Sequence, residues 1–187
     1  YKHKRILEYM EEIRKLESGQ VSSDGLLQNA VDLSDLMRKV KKQYLAIRLH
    51  DETYRNETSY KIAEQERISE GVKVKRIITL PQSMPNDPVQ QPAFDELLNK
   101  AKALIKMGSE TRFLFVEQWV ASTKSRQLEC FAVVDGEYVY RKRGDTHSQL
   151  LTGNDDLASY RRAFEVNWDQ AMTLEELNHV LTTSSVG

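Results

Sequence analysis

The residues able to do chemistry in this 187-residue chain are few: four histidines (His3, His50, His147 and His179) and a single cysteine, Cys130. No two histidines are spaced to share a metal ion and no cysteine pair accompanies them, so neither a metal site nor a cofactor is expected. One cysteine cannot close an intrachain disulfide, which fits a reducing, cytoplasmic setting. Cys130 stands in an apolar run (Phe131-Ala-Val-Val134), and such surroundings raise a thiol's pKa rather than activate it. Glycine-rich phosphate loops, G-x-S-x-G, H-E-x-x-H and EF-hand patterns are all absent from the sequence.

Two constellations remain. His50, Asp51 and Glu52 follow a β-type run at residues 43–49, and Glu117 follows a later one. Both positions fall at carboxyl ends of strands, where α/β folds collect ligands. Three carboxylates there favour a cationic or polyhydroxyl small ligand by charge complementarity. The competing reading is a solvated polar loop that caps the next helix. The second constellation is basic: Lys73, Lys75 and Arg76 on one run, Arg141, Lys142 and Arg143 on another. Strand alternation points Lys73 and Lys75 the same way and Arg76 the opposite way. Lys73, Lys75, Arg141 and Arg143 would serve a nucleic-acid-binding alternative, against the plainer reading of solvated charged faces. A net charge of -1 supplies no global field toward nucleic acid or membrane.

The elements that must carry these residues follow from periodicity. Residues 2–17 read as a helix with a seam of Ile6, Tyr9, Ile13 and Leu16, and residues 23–41 as a second helix. A strand at 43–49, an amphipathic helix within 53–70 ended by Gly71, and a strand at 72–80 come next. Pro81, Pro85, Pro88 and Pro92 predict a mobile surface loop without helix, suited to act as a lid over a ligand. A helix at 94–107 and a strand at 112–116 follow. Strands at 128–134 and 137–143 should pair through an Asp135-Gly136 hairpin turn. Beyond a polar loop, a helix from Asn154 carries Leu157, Tyr160, Phe164, Trp168 and Ala171, and Thr173 to Glu176 has the capping-box pattern of another helix start.

The expected fold is α/β, a mixed, mostly parallel sheet with helices on both faces, preceded by N-terminal helices. The domain plan is a helical segment at 1–42, the α/β domain at 43–180 and a disordered tail at 181–187. No apolar run is long enough to span a bilayer, so no membrane partner is expected. Tyr1 in place of Met suggests a piece of a longer protein.

The stretch QLECFAVVDGEYVYRKRG followed by NDDLASYRRAFEVNWDQA resembles the end of a phospholipase D-like domain: a strand entering VVDG, a second strand, a loop, and a helix bearing F-x-x-x-W-x-x-A. A second passage, from Glu52 through Tyr60, Ala63, Glu66-Arg67-Ile68 and Gly71-Val72-x-Val74-x-Arg76-Ile77-Ile78, is similar to a helix and strand of bacterial and archaeal regulatory members. Active members carry H-x-K-x-x-x-x-D, in which histidine attacks phosphorus and lysine neutralises the phosphoryl oxygens. Counting back from Asp135 puts Leu128 in the histidine slot and Cys130 in the lysine slot. The family's Gly-Ser/Thr-Asn element is missing too, Gly144-Asp145-Thr146 being the nearest approach. Asp135 matches the pattern's aspartate, although an aspartate before glycine is also ordinary turn chemistry.

The resemblance therefore implies a non-catalytic regulatory or sensory domain of a larger signalling or transcription-control protein. A phosphodiesterase or nuclease using unrecognised residues is the enzymatic alternative. Active relatives bring two motif copies together and this chain has one, so a homodimer is expected, with the Ile6–Leu16 seam as an added pairing surface.

Overall fold

A strand run that is apolar on both faces must be covered on both, and the chain supplies helices to do so. The computed structural model describes residues 33–50, 58–120, 129–143 and 147–184, the side chains of 142–143, 147–149 and 184 excepted. Its elements are α1 (Leu33–Lys39), β1 (Gln43–Leu49), α2 (Thr58–Ser69), β2 (Lys73–Leu80), α3 (Gln91–Lys106), β3 (Glu110–Phe115), β4 (Phe131–Val134), β5 (Tyr138–Arg143), β6 (His147–Leu151), α4 (Asn154–Gln170) and α5 (Leu174–Ser184). The predicted helix at 2–17 and the first part of that at 23–41 lie outside the described residues.

The six strands form one mixed sheet in the order β3-β2-β1-β4-β5-β6. β1, β2 and β3 are parallel, joined through α2 and α3, whereas β4, β5 and β6 form an antiparallel meander beginning beside β1. The α/β class and mixed sheet are as expected, with the parallel part confined to one half. β1 is thus the strand that joins the parallel half of the sheet to the antiparallel half.

Alternation along β1 sends Tyr44, Ala46 and Arg48 to one face and Leu45 and Ile47 to the other. On the first face Tyr44, Ala46, Val74, Ala132, Val134 and Tyr140 pack with Leu36, Met37 and Ala63 of α1 and α2. The same face continues under α3 and α5, which bury Ile78, Leu80, Phe113 and Phe115 against Phe94, Leu97 and Leu177. The opposite face is covered by α4, whose Tyr160, Ala163 and Phe164 sit on Ile47, Ile77, Leu114, Phe131 and Val133. After α4 the chain crosses the outer edge of β3, where Phe113 and Met172 exchange both backbone hydrogen bonds (2.8 and 2.7 Å). That bridge satisfies part of an otherwise open edge.

Three features depart from the sequence reading. Residues 147–151, read as polar loop, form β6 against β5. Only Leu150 and Leu151 are apolar there, so pairing rather than composition makes the strand. The proline-rich segment is not a featureless lid: Met84–Asn86 is a 3-10 turn with Met84 and Pro85 buried, and α3 starts at Gln91 with a proline in its first turn. The N–H that proline lacks has no partner in a first helical turn anyway, so Pro92 fits there without loss. Finally, α5 continues to Ser184, so residues 181–184, assigned to a disordered tail, are helical. Its start is the predicted capping box, with Thr173 N donating to Glu176 Oε2 (2.7 Å) and Glu176 N to Thr173 Oγ1 (3.2 Å).

Candidate functional site

The β4–β5 turn decides the role of Asp135. Asp135 (φ 54°) and Gly136 (φ 74°) are both left-handed, as a primed hairpin turn requires. The Asp135 carboxylate then accepts backbone N–H bonds from Lys41 (2.9 Å), Lys42 (2.7 Å) and Gln43 (2.9 Å). Asp135 therefore fixes the entry of β1 against the hairpin, and its position in the motif is accounted for by structure.

At the other end of β1 lies a buried polar network that sequence reasoning missed. On α2, Tyr60, Ala63 and Glu64 are spaced i, i+3, i+4 and face the sheet, with Ala63 and Glu64 fully buried. In register, Arg76 is the β2 partner of Ala46. Arg76 is 3% exposed and its Nη2 donates to Glu64 Oε1 at 2.7 Å and to Tyr60 Oη at 3.1 Å. Glu64 Oε2 and Arg76 Nη1 are buried without a hydrogen-bond partner. Burial, and next the Glu64 carboxylate, push the Tyr60 phenol well above its usual range.

Beside this pair stands Arg48, 8% exposed. Its Nη2 donates to Tyr44 Oη at 2.8 Å. Among the described residues, the titratable groups around it include Tyr44, Tyr60, Arg76, Cys130 and Tyr140. Among the described residues the network holds two guanidinium groups, Arg48 and Arg76, and one carboxylate, Glu64. A clue was present in the sequence: Arg48 and Arg76 sit at in-facing positions of strands whose neighbours on that face are apolar. The alternation did correctly separate Arg76 from Lys73 and Lys75.

Cys130 is 3% exposed, and its Sγ accepts the Leu49 N–H at 3.1 Å. Its surroundings are less apolar than its strand neighbours predict, because Arg48 is among them. Leu128 lies outside the described residues.

Of the predicted ligand set, His50 is half-buried in the turn after β1, while Asp51 and Glu52 lie outside the described residues. Glu117, in a 3-10 turn after β3, accepts the Gln82 N–H with both carboxylate oxygens (3.3 and 3.2 Å). It ties the segment after β3 to the segment after β2, on the same side of the sheet as His50. The predicted basic set falls on the face under α4. Lys73 is exposed, whereas the Lys75 ammonium is 4.9 Å from the Trp168 ring centroid and 3.4 Å from Glu110. Arg141 donates to Tyr160 Oη (2.9 Å), which donates to Glu129 (2.5 Å). Arg143 is in β5, its side chain outside the description. Among the described residues no group of three His, Cys, Asp or Glu side chains could hold a metal ion. No described helix is long and apolar enough to cross a membrane.

No family model matches the chain, and no curated protein matches its sequence. Among solved structures it is similar to TrmBL2, described as an archaeal chromatin protein with a novel mode of DNA binding. The TM-score is 0.45 at 13% identity, over 92% of this chain and 64% of that one. A likeness of that size carries no functional argument, and the chain spans less than two thirds of that protein's length.

Proposed function

We propose that the chain is a non-catalytic regulatory or sensory domain, phospholipase D-like in plan, that belongs to a larger signalling or transcription-control protein and dimerises. The observation that supports this reading most is the state of Cys130. It is the one nucleophile type in the slots where the resemblance would put catalytic groups, and its thiol is enclosed in the sheet with Sγ engaged by Leu49 N–H. A nucleophile needs an open approach to phosphorus and a base within reach. Here the neighbouring charged group is a guanidinium, which cannot accept a proton.

Nucleic-acid binding is the competing function, resting on the basic residues Lys73, Lys75, Arg141 and Arg143. Against it, Lys75 is packed on Trp168 and Arg141 is bonded to Tyr160, so two of its four cations already have partners. Phosphate contacts need free cations and give steep salt dependence.

Hydrolysis assays on bis-p-nitrophenyl phosphate and single-stranded DNA, without added metal, separate the classes. We expect no turnover above buffer, and native Cys130 protected from alkylation until the protein is unfolded. Turnover abolished by Cys130→Ala would overturn the regulatory reading. DNA binding whose affinity falls steeply with salt and with Lys73→Ala would favour the competing one. Light scattering that returns the 21.6 kDa monomer mass at micromolar concentration would remove the dimer.

A further inference from the structure

We draw no further inference here: the strongest candidate, the outer backbone edge of β6 at the end of the sheet, carries nothing, because nothing in the structure shows what covers it.

Discussion

Replacing Glu64 by glutamine keeps the shape of the α2–sheet contact and removes only the charge. Glu64 is fully buried, Arg76 is 3% exposed, and their nearest atoms are 2.7 Å apart. With charge centres about 4 Å apart, the attraction is about 4 kcal/mol at an effective dielectric of about 20. Glu64→Gln forfeits this and leaves a guanidinium buried with no counter-charge, which together cost about 3–5 kcal/mol. For a domain of this size the melting temperature should fall by roughly 6–20 °C. The double change Glu64→Leu with Arg76→Met should behave oppositely. It removes both charges along with the unpartnered Oε2 and Nη1, so stability should be unchanged or rise by about 1–4 kcal/mol. Equilibrium urea unfolding followed by circular dichroism measures both. A Glu64→Gln loss below about 1 kcal/mol would mean that water reaches Arg76 and that its charge is solvated rather than buried.

Two further outcomes follow from other sites. Asp135→Asn tolerates the left-handed backbone of its turn yet weakens three N–H bonds at the start of β1, and should cost about 1–2 kcal/mol in the same assay; an unchanged midpoint would show that Lys41, Lys42 and Gln43 are held without it. Tyr160 titrates high, at about 12, first because it is buried and then because it donates to Glu129. A raised phenol pKa stabilises the fold below the unfolded value of about 10 and that stability is lost as pH climbs through about 12. Wild type should therefore lose stability more steeply than Tyr160→Phe between these values in pH-dependent unfolding, and parallel curves would refute the assignment.

The sequence by itself determined the local elements. The 3.6-residue stripes of α3 and α4, the apolar runs of β1, β2 and β4, the Asp135-Gly136 turn and the Thr173–Glu176 box each depend on interactions within a few residues, so their patterns are local and readable. Tertiary structure alone decided which strand lies beside which, and with that the site. β6 exists because β5 offers it hydrogen-bond partners, not because its residues favour a strand. Glu64 and Arg76 are twelve residues apart and meet because a parallel crossover lays α2 over β2. Arg48 meets Tyr44 and Cys130 for a similar reason: folding sets them together, and no spacing along the chain encodes that company. Alternation tells which way a charged side chain points, but only the packed neighbours decide whether its charge is answered.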